Sequence, residues 1–144
     1  MAGKLSLDGS WKLKGIDGSR GGPATYCGDM LDECTFLDAN VPGEVHLDLM
    51  RQGIIKDPRV GLNALKARWV EEQYWIYRRT FTAPTDALQA RRVWLVFDGL
   101  DLIADVYLNG VHVGSHENAF RPCRLDVTDV LRPGSNSLAV SLDS

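Results

Sequence analysis

Val106-Tyr-Leu-Asn-Gly-Val-His-Val-Gly114 decides the fold of this chain. Asn109-Gly110 is a strong short-range hairpin signal, because a two-residue type I′ turn needs positive φ at both central positions and Asn and Gly tolerate it. The flanks alternate, with Val106 and Leu108 before the turn and Val111 and Val113 after it. That pattern predicts a β-hairpin over 104–108 and 111–114 with one buried face. The next stretch, Glu117-Asn-Ala-Phe-Arg-Pro122, places an amide, an aromatic ring and a guanidinium close together in Asn118, Phe120 and Arg121. Those three groups form a set suited to holding a sugar.

Outward from the hairpin, the same alternation recurs in short runs. Residues 5–13 read as a strand bent at Asp8-Gly9, with Trp11 and Leu13 on one face. Residues 36–41 read as a short strand. Over 74–81, Trp75, Tyr77 and Phe81 point one way, and Ile76 points the other way among polar neighbours. Val93-Trp-Leu-Val-Phe97 is almost wholly apolar and predicts a central strand covered on both faces. Residues 124–128 and 138–142 complete the strands. Turns are expected over 98–101 and at Pro133-Gly134.

One segment reads as a helix, over 42–53. Pro42 suits its start, Glu44 favours the positive dipole end, Val45 and Leu49 share a face, and Gly53 falls at the stop. Residues 17–23 read as a loop, as do 54–65 with Asp57-Pro58 and Gly61-Leu-Asn63. Seven or eight short strands, frequent turns and one short helix predict an all-β fold, an antiparallel jelly-roll β-sandwich.

The length of 144 residues fits one domain, and 44% hydrophobic residues with four Trp supply a core. A net charge of -3 argues against a nucleic-acid partner. No apolar run approaches the roughly 18 residues of a membrane span. The first residues carry no apolar leader, so a cytoplasmic location is the expectation. Reduced thiols are then expected for Cys27, Cys34 and Cys123, with a Cys27–Cys34 bridge as the alternative.

Motifs for chemistry are weak. His112-Val-Gly-Ser-His116 has a ligand-like spacing, but it lies on strand and loop, where no helix aligns the rings, so no metal is expected. Glu71 and Glu72 are neighbours whose side chains would diverge, and turn capping accounts for Asp101. There is no nucleophile elbow and no phosphate-binding glycine motif. No catalytic residue and no cofactor are therefore expected. Trp69, Trp75, Tyr77 and Trp94 read as core, since large rings dominate cores.

In order along the chain, several runs resemble the N-terminal domain of family 2 glycoside hydrolases, the β-mannosidase branch above all. They are Leu7-Asp-Gly-Ser-Trp11, Val41-Pro-Gly-Glu-Val-His-Leu-Asp-Leu49, Gly53-Ile-Ile-Lys-Asp-Pro58 and Gly61-Leu-Asn63. They continue with Trp69-Val-Glu-Glu-Gln-Tyr-Trp-Ile-Tyr-Arg78, Phe97-Asp-Gly-Leu-Asp101, Val106-Tyr-Leu-Asn-Gly110, Asn118-Ala-Phe-Arg-Pro122 and Asn136-Ser-Leu-Ala-Val140. Related exo-glucosaminidases share parts of the pattern.

The resemblance implies a galactose-binding-like jelly roll over residues 1–144 that packs against a catalytic (β/α)8 barrel. It implies a retaining exo-glycosidase for β-mannosides whose catalytic glutamates lie in the barrel. This chain cannot supply the roughly 250 residues a barrel needs, so by itself it is expected to be inactive. It also implies a domain cut short, whose exposed sheet edge and uncovered apolar strip would favour a homodimer. Asn118, Phe120 and Arg121 would lie near the barrel mouth, with Phe120 stacked on a sugar and Arg121 bonded to its hydroxyls or to a barrel carboxylate. Asp57 and Asn63 would share that rim. The expected partners are the barrel and a β-mannoside or related sugar. Two other readings stay open: an autonomous carbohydrate-binding module, which needs an exposed aromatic platform, and a purely structural domain.

Overall fold

A computed structural model describes residues 5–16, 23–41, 73–97, 103–117 and 123–143. The strands are β1 (Gly9–Ile16), β2 (Leu37–Val41), β3 (Tyr74–Thr82), β4 (Trp94–Phe97), β5 (Ile103–Leu108), β6 (Val111–His116), β7 (Cys123–Asp126) and β8 (Ser135–Asp143). A 3-10 turn covers Pro23–Cys27, and a one-turn helix, α1, covers Thr85–Gln89. Six strands form one sheet in the order β2-β1-β3-β8-β5-β6, and β4 pairs with β7 in a second. Every pairing is antiparallel. The all-β antiparallel sandwich read from the sequence is the observed architecture.

The inner face of the large sheet follows the alternation of its strands. Trp11, Leu13, Trp75, Tyr77, Val106 and Leu138 are buried in one cluster with Leu95 and Val127, which belong to β4 and to the residue after β7. The second sheet therefore lies over the first and shares its core. Phe81 packs against the same cluster, as the period-2 pattern of β3 requires.

The outer face differs from expectation. Ile76 is fully buried, in a second cluster with Ile16, Cys27, Phe36 and Ala139. Its cross-strand partners Lys14 and Ser141 are polar, as the sequence suggested. The segment from the 3-10 turn to Phe36 folds over this face, and Tyr26 and Leu31 pack onto the cluster. Lys14 keeps its ammonium at the edge, 5.9 Å from the Tyr26 ring centre and 5.8 Å from that of Phe36. A charged head over apolar rings on a hydrocarbon stem is how lysine tolerates such a place.

The hairpin has the predicted turn, with φ of 53° at Asn109 and 80° at Gly110. Its second strand is bulged. Val106 opposes Gly114 while Tyr107 opposes His112, which leaves Val113 as the extra residue. Val113 packs against the main core, whereas Val111 is 49% exposed and not part of the buried face. Val111 stands beside the turn on the edge strand, which is a correction to the simple alternation.

Three further corrections concern the elements themselves. The run 93–97 is not a central strand: Leu95 is buried, but Trp94 is 46% and Val96 50% exposed. Among the described residues β4 pairs only with β7, and the alternation leaves Trp94 and Val96 on the face away from the core. The first strand starts at Gly9, whose φ is 121°, and runs on to Ile16. Helix α1 was not signalled in the sequence, because one turn after Pro84 carries no apolar periodicity. The helix expected over 42–53, the loop over 54–65, the turn over 98–101, Trp69 and all but the last residue of the loop expected over 17–23 lie outside the described residues; Pro23 opens the 3-10 turn.

Gly15 lies opposite Trp75, and a β-carbon there would stand 2.8 Å from two ring carbons of that Trp. Gly15→Ala must push a core indole aside. It is expected to destabilise the fold by about 1–3 kcal/mol, the usual cost of overpacking, read from urea denaturation midpoints.

Candidate functional site

Asn118, Phe120, Arg121, Asp57 and Asn63 all lie outside the described residues. What is described is the frame that carries them. Ala104 pairs with His116 at one end of the large sheet, and Tyr74 and Ile103 both pair with Asp143 at that same end. In the small sheet Phe97 pairs with Cys123. The connections 98–102 and 118–122 therefore both run between these paired ends. The segment 42–72 leaves β2 beside Gly9 at the opposite end and re-enters the ladder at Tyr74. Of the two segments with candidate residues, 118–122 starts from this end of the large sheet and 42–72 returns to it at Tyr74. Functional residues commonly sit on loops held this way by a rigid scaffold.

Among the described residues three polar clusters have enough groups to be tested as chemistry. The first surrounds Arg78, which is 1% exposed. Its Nε donates to Glu33 Oε2 at 2.8 Å, Nη1 to the Tyr26 carbonyl at 3.0 Å, and Nη2 to Ser137 Oγ at 2.7 Å. Each of the three nitrogens has a protein acceptor, and at 1% exposure the group has no open side from which a ligand could reach it. The cluster is structural, and it pins the outer segment to β3 and β8.

The second contains Asp105, His112 and Ser115, the residue types of a hydrolytic triad. Ser115 Oγ donates to Asp105 Oδ1 at 2.5 Å and lies 3.2 Å from His112 Nε2. The same Nε2 lies 3.0 Å from Asp105 Oδ1. A working triad needs the acid on one ring nitrogen and the serine on the other, so that the base takes the hydroxyl proton. Here one nitrogen faces both partners and the serine proton points to the acid. The side chains are exposed on the outer face, with His112 against the edge of Tyr107 at 5.1 Å between ring centres. This is a surface hydrogen-bond cluster, not a nucleophile.

The bulge also separates the two histidines. His112 opposes Tyr107 on the outer face, and His116 opposes Ala104, which is buried on the inner face. No group of His, Cys, Asp and Glu among the described residues could hold a metal ion.

The third cluster is on the exposed face of the small sheet. Trp94 and Asp126 are cross-strand partners, as are Val96 and Arg124. The Arg124 guanidinium carbon lies 4.6 Å from the Trp94 ring centre. Arg92 bonds Asp126 at 2.6 Å, and the Thr128 hydroxyl donates to the same carboxylate, which with Arg92 holds it below the usual carboxylate range. The Arg124 guanidinium therefore covers one face of the half-exposed indole, so a sugar could stack on Trp94 only at the other face or by displacing Arg124. The sequence placed Trp94 in the core. Only the alternation of Leu95 against Trp94 and Val96 could have shown otherwise, and an unbroken apolar run hides it.

All three cysteines are free, with Cys27 and Cys123 buried and Cys34 exposed. Burial pushes the Cys27 thiol up to about 12 against the favourable charge of Arg78, and burial raises Cys123 as well. A thiol is reactive only as thiolate and only where a reagent reaches it. Iodoacetamide at neutral pH is expected to label Cys34 alone in the folded chain, and Cys27 and Cys123 only after denaturation, as read by peptide mass spectrometry. The raised Cys27 value also means stability is present below pH 9 and declines as pH rises from there toward 12.

The family model described as glycosyl hydrolase 2 galactose-binding domain-like matches residues 11–144. The chain is 46% identical over 141 residues to β-mannosidase B of Thermothelomyces thermophilus, which covers 97% of the chain and 15% of that protein. It is 34% identical over 139 residues to the β-mannosidase of Mus musculus, covering 96% of the chain and 14% of that protein. The crystal structure of the β-D-mannosidase from Dictyoglomus thermophilum superimposes with a TM-score of 0.82 at 38% identity, over 97% of this chain and 15% of that one.

Proposed function

From the premise that this chain belongs to the glycosyl hydrolase 2 galactose-binding domain-like family, we propose that it is the non-catalytic N-terminal domain of a β-mannosidase-like enzyme. In this reading it supports the catalytic barrel and helps shape the terminal sugar subsite of a retaining exo-glycosidase. The observation that carries it is the similarity to β-mannosidases along 97% of the chain, in sequence at 46% identity and in structure at a TM-score of 0.82. The chain spans 14–15% of the length of these relatives, and in this reading hydrolysis is the work of the barrel. Asn118, Phe120 and Arg121 are assigned to the sugar rim, with Asp57 and Asn63 beside them. Supporting this, residues 118–122 connect the two sheets at the end where Tyr74, Ile103 and His116 enter or leave the ladder.

One observation favours a second reading. An autonomous carbohydrate-binding module needs an exposed aromatic ring, and Trp94 is 46% exposed, with Arg124 over one face. The two readings separate cleanly. In the parent enzyme Arg121→Ala is expected to lower kcat/KM for an aryl β-mannoside by about tenfold or more, equivalent to about 1.4 kcal/mol of transition-state binding. Unchanged kcat and KM would remove Arg121 from the subsite. For the isolated chain, titration calorimetry with manno-oligosaccharides is expected to show no heat. Saturable heat that Trp94→Ala abolishes would make it a binding module.

A further inference from the structure

The Asn-Gly turn that closes the hairpin is also chemically labile. In such a pair the following backbone nitrogen has no side chain beside it, so it can reach the asparagine carbonyl. We propose that Asn109 is a deamidation site that folding closes: the native hydrogen bonds protect it, and opening of the hairpin end exposes it to irreversible conversion.

The step is a ring closure. The Gly110 backbone nitrogen, losing its proton to water, bonds to Asn109 Cγ. The Cγ–Nδ2 bond breaks, Nδ2 takes up a proton, and ammonia leaves. Water then opens the cyclic imide at either carbonyl, giving Asp or isoAsp. The sum is amide plus water to acid plus ammonia, with no other reactant.

The folded chain opposes each part of this. Asn109 Oδ1 accepts the Ser137 backbone N–H at 2.9 Å. Asn109 Nδ2 donates to the Val130 carbonyl at 3.1 Å and to Asn136 Oδ1 at 2.9 Å. Cγ is thus held at both ends and cannot swing to meet Gly110. The leaving nitrogen faces two acceptors, and neither can give it the proton it needs to depart.

The orientation of Asn136 is itself fixed. It is fully buried, its Nδ2 donates to the carbonyls of Arg132 and Gly134, and its Oδ1 accepts from the Arg132 backbone. Arg132 is anchored by two bonds to Asp29, at 2.6 and 2.9 Å. The turn packs there too, since a β-carbon on Gly110 would stand 3.1 Å from the Asp29 nitrogen. Protection therefore comes from residues 29 and 130–137, not from the hairpin itself.

The product cannot return to this arrangement. A carboxylate at position 109 turns the donor Nδ2 into an acceptor, set against the Val130 carbonyl and Asn136 Oδ1. Buried acceptors without donors are costly, so a converted chain is locked out of the closed state. The site acts as a one-way record of time spent open.

The test incubates the whole chain at mildly alkaline pH and maps Asp and isoAsp at position 109 by mass spectrometry. Conversion is expected to be at least roughly tenfold slower in buffer than in denaturing urea, and to rise with urea below the unfolding midpoint as local opening grows. Asn136→Ala, which removes the Nδ2 acceptor, is expected to speed conversion in buffer. The urea series needs no variant, so it decides the matter even if Asn136→Ala does not fold. Equal rates in buffer and urea would overturn the protection. An Asn109→Asp chain with the melting temperature of the parent chain would overturn the lock.

Discussion

The guanidinium of Arg78 lies inside this small domain with its three nitrogens bonded to a carboxylate, a carbonyl and a hydroxyl. Moving such a charge out of water costs several kcal/mol, and the cost is met only if every donor is satisfied. The acceptors come from Glu33, Tyr26 and Ser137, so the segment from the 3-10 turn to β2 must close over the large sheet for the arrangement to exist. Closing it buries Cys27, Phe36 and Ile76 as a second core. Both faces of β3 are then covered, one by each core. Removing Glu33 alone would leave a buried charge unpaired, which is more damaging than replacing the whole cluster with apolar groups.

With the sheet clamped from both sides, its end becomes a rigid mount. The bulge in β6 is part of this. The extra residue places Gly114 opposite Val106, where the Leu125 side chain of the small sheet needs the space a side chain would occupy. The two sheets approach closely there, four residues before Asn118.

How much of this was legible follows from which physical signals are local. The hairpin was, because positive φ at two adjacent residues restricts the sequence directly. The inner face of β3 was, because Trp75, Tyr77 and Phe81 follow the pleat. The outer core was not: nothing local to Arg78 or Ser137 shows that distant Glu33 and Tyr26 will supply acceptors and bury the guanidinium. β4 was misread because an apolar run says nothing about how many layers cover it. The candidate site was legible only as residue types next to a turn and as a family resemblance. Its geometry depends on side chains of 42–72 and 118–122, which lie outside the described residues.

One constraint joins the turn to the rest. The positive φ that makes Asn109-Gly110 a good hairpin turn also leaves the asparagine without help from neighbours in its own strands. Its side chain is satisfied instead by Val130, Asn136 and Ser137, which precede or begin β8. β8 lies between β3 and β5, and its Ser137 also holds Arg78. The hairpin turn and the buried arginine therefore meet at one residue, whose backbone N–H serves Asn109 and whose hydroxyl serves Arg78. Opening either end loosens the other, so the central strand β8 couples the outer core to the hairpin leading to the candidate site.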